Sequence, residues 1–476
     1  MPADPRTILI DQAQNDGPWD IIVIGGGATG LATAWDAASR GYKVALLEQA
    51  DFATATSSRS TKLLHGGVRY LQNGEIGLVR EALHERSLLL KNAEEFSQPM
   101  RFILPTHTPL SRYYYRFGMW IYDSLAGKSN IRPAELLSQR ELMAQLPRYK
   151  KTKPTGGIAY TDAQFDDAAL AIAFAQCINA SGNLAINYVS AEKLNIENGK
   201  ITGVIAKDIE TDTSWRMDAK LVINATGIFS DVFRQANDSQ IKWSIRTSRG
   251  SHIVVPGEPL GSKNALIIPK TSDGRVLFAV PWKGHTLIGT TDEPTKLPEL
   301  HPIPTEQEIQ FLIKEAQSTF NLDTQSITSS WAGLRPLVSR ASKSSTASLS
   351  RKHIIDISDN GLISILGGKW TTCRKMAEDT IDAAILRHGL PLRICNTKDL
   401  KLTDHGALPP LSPVDTAPSV ELSLSIIESC FRDRYARNAD DILARRTRTS
   451  MLDTQLAKNQ AATAELAIQK LRANAD

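Results

Sequence analysis

The chain has 476 residues, 42% of them hydrophobic and 22% charged, with a formal net charge of +4. An ordinary apolar fraction with little net charge excludes a disordered chain, and so weak a basic excess argues against a nucleic-acid partner. The length calls for about two or three domains. Cys177, Cys373, Cys395 and Cys430 form no C-x-x-C pair. No metal site is therefore expected, and scattered thiols fit a reducing compartment. No run of about 18 apolar residues is present, so no transmembrane helix is expected. Asp4, Arg6, Asp11 and Asp16 enclose no apolar segment, and the start of the chain does not read as a secretory signal. A cytoplasmic location follows as the expectation, with any membrane contact peripheral.

Ile21-Ile22-Val23-Ile24 reads as a buried parallel strand. It runs into Gly25-Gly26-Gly27-Ala28-Thr29-Gly30, a small-residue helix from Leu31 to about Ser39, and a second strand, Lys43–Leu47, that ends at Glu48. This order is that of a dinucleotide fingerprint. Gly25 suits the tight turn, Gly27 admits a pyrophosphate and Gly30 permits helix–strand packing. Glu48 stands where a carboxylate would accept hydrogen bonds from a ribose diol and repel a 2′-phosphate. The fingerprint does not separate FAD from NAD. Thr56, Ser57 and Ser58 follow, with oxygens able to cap a helix. Further on, Lys62-Leu63-Leu64-His65-Gly66-Gly67-Val68-Arg69-Tyr70 contains a glycine pair that would let backbone lie against a planar ligand.

Further along, helices are expected over about 76–93 and 168–180, and strands near 184–189, 201–207 and 214–223. Asn224-Ala225-Thr226-Gly227 ends the last strand with small residues suited to a nucleotide. Residues 241–291 are rich in short β runs, 305–320 reads as a helix, and 341–350 as an exposed serine-rich loop. Ile363–Leu366 returns as a strand, and Gly367-Gly368 opens a helix through Leu386. A linker at Leu408–Pro413 precedes a helical C-terminal stretch.

Taken together, Gly25–Gly30, Thr56–Ser58 and Lys62–Tyr70 resemble the FAD-dependent glycerol-3-phosphate dehydrogenases of the D-amino-acid-oxidase-like flavoprotein superfamily. Tyr160-Thr161-Asp162, Phe165-Asp166-Asp167, Asn224–Gly227, Gly250–Pro256, Ile288–Asp292, Gly333–Pro336 and Gly367–Thr372 are similar to that family's later motifs, in order. The resemblance spans about residues 20–385. Arg59 and Trp370 depart from it, since smaller or aliphatic residues are familiar at those positions.

The resemblance implies an α/β fold. A Rossmann-like FAD-binding domain (1–95, 155–240 and 345–390) would carry an inserted antiparallel-sheet substrate domain (96–154 and 241–344), with a helical C-terminal cap over 391–476. It implies oxidation of sn-glycerol 3-phosphate to dihydroxyacetone phosphate, with electrons passed from FAD to a membrane quinone. The FAD residues it points to are Gly25, Gly27, Gly30, Glu48, Thr56, Ser57, Ser58, Lys62, His65, Gly66, Gly67, Ala225, Gly227, Gly368, Lys369 and Thr371. Arginine's planar fork suits a dianionic phosphate, which singles out Arg69, Arg335 and Arg351. Tyr70 could donate a hydrogen bond to substrate.

His252 is the first choice for the base, because an imidazole exchanges protons near neutral pH. His65 and Lys369 are the alternatives, and the catalytic set is His252, Arg335 and Lys369. Rival functions are a glycerol-3-phosphate oxidase using oxygen, an amine or amino-acid oxidase, and a catalytically silent flavoprotein scaffold.

The charge is unevenly spread. Residues 99–153 hold ten Lys and Arg against three acids, a net +7, which leaves the rest of the chain at −3. Tyr113, Tyr114, Tyr115, Phe117, Trp120, Ile121 and Tyr122 crowd a helix within that span. Basic residues beside aromatics suit a helix lying in an anionic interface, with a core helix beside a basic loop as the alternative. The expected partners are glycerol 3-phosphate, a quinone and an anionic membrane surface. The expected location is peripheral, monotopic on the inner face of the cytoplasmic membrane, with a homodimer as the candidate assembly.

Overall fold

Ile21–Ile24 is an unbroken apolar run because both faces of its strand are covered. The computed structural model describes residues 4–72, 74–150, 154–338, 353–411 and 422–473. In it, Trp19–Ile24 lies between the parallel strands Ser214–Asn224 and Val44–Glu48. Ile363–Leu366 and Leu184–Asn187 extend the parallel sheet on either side, and antiparallel Ile354–Ile357 closes one edge. Ile21 and Val23 pack with helices Ala28–Ser39, Asp167–Ala180 and Cys373–His388. Ile22 and Ile24 point the other way, into a core shared with Val204 and Met217 of an antiparallel three-strand layer. Alternation along one strand thus feeds two cores. The expected strand over 184–189 is split at Tyr188, where φ is +56°.

A second, mostly antiparallel sheet has ten strands among the described residues. Its long members are Ser97–Thr106, Gly156–Phe165, Ile245–Pro256 and Ser329–Val338. Gly156–Phe165 belongs here by its hydrogen bonds: it pairs with Ser97–Thr106, Glu135–Ser138 and Leu63–Leu64. The resemblance places residues 155–240 with the dinucleotide-binding domain, whereas the hydrogen bonds of this strand join it to the second sheet. Helices Ile76–Asn92 and Pro109–Ala126 contribute to the core on one face of the sheet, and Gln139–Gln145 and Glu306–Gln317 to the core on the other. The last of these starts with a capping box between Thr305 and Glu308, which satisfies two N–H groups at the helix end. Among the described residues, no helix is long and apolar enough to cross a membrane.

The C-terminal stretch is helical, as expected, with its own core around Ile427, Phe431, Leu443 and Ile468. Leu402 and Ala407, by contrast, pack in the dinucleotide-side core, so the separate helical unit starts after them. It is joined to the first sheet by buried charge. Asp51, just beyond the strand Val44–Glu48, accepts hydrogen bonds from Arg445, from both Nη atoms of Arg446, and from Asn187 Nδ2 at 3.0 Å. Asp51 and Arg446 are fully buried at their side chains. Removing one partner of such a pair leaves an uncompensated charge in a low-dielectric interior. Asp51→Ala is therefore expected to destabilise the protein by about 3 kcal/mol or more, read as a loss of midpoint in denaturant unfolding followed by far-UV circular dichroism.

Candidate active site

The Gly25–Gly30 turn is shaped by backbone contact. Gly25 has φ +108°, and a Cβ there would lie 2.6 Å from the Ala225 carbonyl oxygen. A Cβ at Gly30 would lie 1.9 Å from the carbonyl oxygen of Gly25. These two glycines let the helix Ala28–Ser39 start directly against the strand end, with Gly27 at its N-cap and no side chain capping it. Ser57 supplies what the cap lacks: its Oγ accepts from Ala28 N–H at 2.9 Å. Thr56–Ser58 is itself a single 3₁₀ turn. The capping oxygen expected from this run therefore serves a helix 29 residues earlier in the chain.

A cavity of about 440 Å³ opens at this helix end. Gly25, Gly27, Glu48, Thr56, Ser57, Ala225, Gly227, Gly368 and Lys369 line it, along with Phe229, Pro336 and Trp370. Glu48 accepts Gly26 N–H at 2.6 Å on one oxygen and Ala50 N–H at 2.8 Å on the other. Each oxygen keeps capacity for a ribose hydroxyl. Burial raises the Glu48 pKa, against the lowering effect of those two amides. A helix N-terminus, close-packed glycines and an acceptor carboxylate in one cavity fit a dinucleotide. A wider open cleft of about 620 Å³ runs between Gln98–Arg101 and Pro281–His285, and none of the candidate site residues lines it.

The other cofactor candidates are elsewhere. Ser58, His65, Gly66, Gly67 and Thr371 lie outside the cavity wall, and so does Lys62. Lys62 had been read as a cofactor contact. Instead its ammonium is buried against Asp167, at 2.8 and 3.0 Å, and Ser58 O at 2.6 Å. A lysine so deep needs a carboxylate partner more than a ligand. Gly66 N–H donates to Tyr122 Oη at 3.0 Å and Asp162 Oδ1 at 3.3 Å, and Asp162 is paired with buried Arg86 at 2.5 Å. The glycine pair is thus held from behind by a buried network. Tyr70 brings this loop to the cavity, since its ring lies 4.8 Å from the Lys369 ammonium. Trp370, one of the two unfamiliar residues, donates its indole N–H to Ser57 O at 2.8 Å. The other, Arg59, reaches Ala332 O and His301.

His252 and Arg335 come from neighbouring antiparallel strands, in a register that pairs His252 with Trp331 and Ser248 with Arg335. Residues opposite each other share a sheet face, so His252 and Arg335 share one. Between them Gly250 faces Gly333. A Cβ on Gly250 would meet Arg335 Nη2 at 2.3 Å, and one on Gly333 would meet Arg59 Cβ at 2.8 Å. The facing glycines open the space that both arginines occupy. Arg335 donates to Thr291 O at 3.1 Å and Thr290 Oγ1 at 2.8 Å, and its neighbour Pro336 lines the cavity.

The His252 ring stacks on Trp331 with centroids 4.1 Å apart, and Nε2 lies 3.0 Å from Thr61 Oγ1. Burial, then Arg335 and Lys62, pushes its pKa well below the ordinary imidazole value, so the ring is uncharged at neutral pH. Arg69 is in a short helix, Arg69–Gln72. Arg351 and the loop 341–350 lie outside the described residues, as do Ser412 and Pro413 of the expected linker. Thr61 and Trp331 carry no assigned role in the motifs above, and Asp162 stands in the Tyr160-Thr161-Asp162 motif without one. Among the described residues, no group of His, Cys, Asp and Glu could hold a metal ion.

The pattern of the FAD dependent oxidoreductases matches residues 20–374. This chain belongs to the FAD dependent oxidoreductase family. It is 42% identical over 406 residues to a mitochondrial glycerol-3-phosphate dehydrogenase of Mesocricetus auratus, covering 82% of this chain and 56% of that one. The human protein of the same name is 42% identical over 394 residues, covering 79% and 54%. The chain thus spans about half the length of the curated relatives it matches. A glycerol-3-phosphate dehydrogenase of Bacillus halodurans complexed with FAD superposes with a TM-score of 0.78 at 27% identity, over 99% of this chain and 93% of that one. An L-alpha-glycerophosphate oxidase of Mycoplasma pneumoniae with FAD bound shares the fold, with a TM-score of 0.63 at 18% identity over 79% and 96% of the two chains. FAD is the cofactor for which the Gly25–Gly30 cavity is built.

Gly30→Ala is expected to abolish FAD binding, because its methyl group would have to displace the Gly25 carbonyl. Gly77→Ala, where a Cβ meets nothing within 4 Å, should keep full occupancy. Flavin absorbance per polypeptide after purification measures both.

Proposed function

We propose that this chain oxidises sn-glycerol 3-phosphate to dihydroxyacetone phosphate and passes the electrons to a membrane quinone. The observation that carries the reading is the sheet face where facing glycines leave Arg335 beside His252, with Pro336, the next residue, in the cavity wall. The names of the relatives at 42% identity support the same substrate. Bound FAD supplies the hydride acceptor. His252, uncharged by burial and by its cationic neighbours, takes the hydroxyl proton as the alcohol carbon loses its hydride, leaving a carbonyl. Arg335 holds the phosphate with its planar fork, and Arg69 and Arg351 are assigned the same role by resemblance. Tyr70 donates to the substrate, and the Lys369 ammonium, held at the cavity wall beside the Tyr70 ring, stabilises negative charge on the substrate oxygen.

Delivery to a quinone needs a membrane contact, and helix Pro109–Ala126 supports one. It turns Met119 and Tyr122 into the core, while Leu110 is 80% exposed, Tyr113 70%, Phe117 61% and Trp120 57%. Apolar side chains on successive turns of one face are what an interfacial helix presents. Lys128, Arg132, Arg140, Arg148 and Lys150 are exposed in the segment that follows, each able to contribute about 1 kcal/mol at an anionic surface. This reading puts the protein on the inner face of the cytoplasmic membrane, without crossing it.

Glycerol 3-phosphate is expected to bleach the yellow protein in the absence of oxygen. Bleaching by an amino acid but not by glycerol 3-phosphate sinks the substrate assignment. Reoxidation by a soluble quinone analogue much faster than by oxygen is expected, and the reverse order would mark an oxidase. Arg335→Ala should raise KM for glycerol 3-phosphate by about 100-fold, the loss of a charge-assisted contact worth up to about 3 kcal/mol. In liposome flotation, the protein should rise with anionic vesicles, and Phe117→Ser with Trp120→Ser should leave it at the bottom.

A further inference from the structure

Behind His252 lies a buried arrangement of charge that the oxidation chemistry does not use. Thr61 and Lys62 are consecutive, and each reaches the imidazole by a different route. Thr61 Oγ1 lies 3.0 Å from Nε2. Lys62 acts through Trp331: its ammonium lies 5.0 Å from the Trp331 ring centroid, and the same ring stacks on His252 with planes 17° apart.

Lys62 is in turn fixed by a residue near the end of the chain. Its Nζ shares two acceptors with Arg448, namely Ser58 O (2.6 Å from Lys62, 2.8 Å from Arg448) and Asp167 Oδ1 (3.0 and 2.8 Å). Ser60 Oγ donates to the other Asp167 oxygen at 2.7 Å. The side chains of Lys62, Asp167 and Arg448 are all fully buried. Both cations also lie 5.5 Å from the Trp282 ring, and Lys62 Nζ is 4.0 Å from Met451 Sδ.

We propose that Thr61 and Lys62 are positioning residues for His252, and that Arg448 of the C-terminal segment locks them in place through Asp167. The proposal rests on the reading of His252 as the base that takes the hydroxyl proton. Its physical basis is twofold. A hydrogen bond to one ring nitrogen selects the tautomer and leaves the other nitrogen defined. A ring stacked on an indole that is itself packed against a fixed cation cannot tilt without disturbing buried charge.

The charges around the imidazole reinforce the effect. Lys62, Lys283 and Arg448 face two carboxylates, Asp166 and Asp167, and Arg335 on the neighbouring strand, 3.4 Å from Asp292, makes four cations against three carboxylates. The surplus is positive, which disfavours a second proton on His252. Burial, then Arg448, brings the Lys62 pKa down to about 7, so its charge acts on His252 below that pH, where its loss in Lys62→Met should move His252 protonation upward, toward the ordinary imidazole range.

The test uses the full-length holoprotein labelled with ¹⁵N at histidine, with the His252 signals identified by their loss in His252→Asn. Ring shifts are followed from about pH 5 to pH 8, the range in which imidazoles titrate. In the wild type, His252 is expected to remain a single uncharged tautomer. Thr61→Val should mix the tautomers. Lys62→Met and Arg448→Gln should bring a protonation step into the range, and Arg448→Lys should suppress it again.

In parallel, anaerobic reduction of the bound flavin by glycerol 3-phosphate should slow by about tenfold or more in Lys62→Met and Arg448→Gln, a share of what general base catalysis contributes. FAD content and the substrate concentration for half-maximal rate should be unchanged. Unaltered His252 signals in Lys62→Met and Arg448→Gln overturn the proposal. If those two variants fail to fold, Thr61→Val, which leaves the ion cluster intact, still decides: an unaltered tautomer there also overturns it. If His252 responds as expected but glycerol 3-phosphate does not reduce the wild type, the positioning stands and the substrate assignment falls.

Discussion

The site depends on buried carboxylates that hold one loop at both ends. The loop from Asp51 to Lys62 carries Thr56 and Ser57 to the cavity wall and Thr61 to His252. At its start Asp51 is clasped by Arg445 and Arg446, and at its end Lys62 meets Asp167 together with Arg448. Desolvated ion pairs of this kind add little net stability compared with an apolar core, but breaking one is costly. Their consequence is geometric: the loop cannot shift without exposing or unpairing charge.

The second constraint is close packing where side chains are missing. Gly25 and Gly30 let a strand, a helix and the Ala225 backbone meet within contact distance, which leaves a helix end for phosphate. Gly250 and Gly333 do the reverse on the second sheet, opening a space that arginine side chains fill. In one place the absent Cβ admits backbone, and in the other it admits a cation. The cavity wall runs from the first glycine set to Pro336, the residue after Arg335, so the second glycine site adjoins the cavity.

Much of the site was legible because it is encoded locally. Strand, glycine turn, helix, strand and Glu48 follow within about thirty residues, and each has a backbone reason that short sequence spacing expresses. The helix over 305–320 and the strand 214–223 were likewise visible, since periodicity of burial is a local property. The burial of the Lys62 ammonium was not legible, for the complementary reason. Its neighbours, a hydroxyl-rich run and a glycine pair, speak of a ligand loop, whereas its partner Asp167 lies 105 residues away. The pairing of Gly156–Phe165 was not legible either, because alternation does not reveal which strand will pair beside it.

By itself, then, the sequence determined the dinucleotide turn and the chemical types present: arginines, histidines, and an aromatic helix beside basic residues. Those follow from backbone sterics and side-chain chemistry, which act over a few residues. Only the tertiary structure decided that Ser57 caps the helix Ala28–Ser39, which cations share Asp167, and that His252 is uncharged against Trp331. These depend on desolvation and on contacts between residues up to several hundred positions apart, and burial is a property of the folded whole.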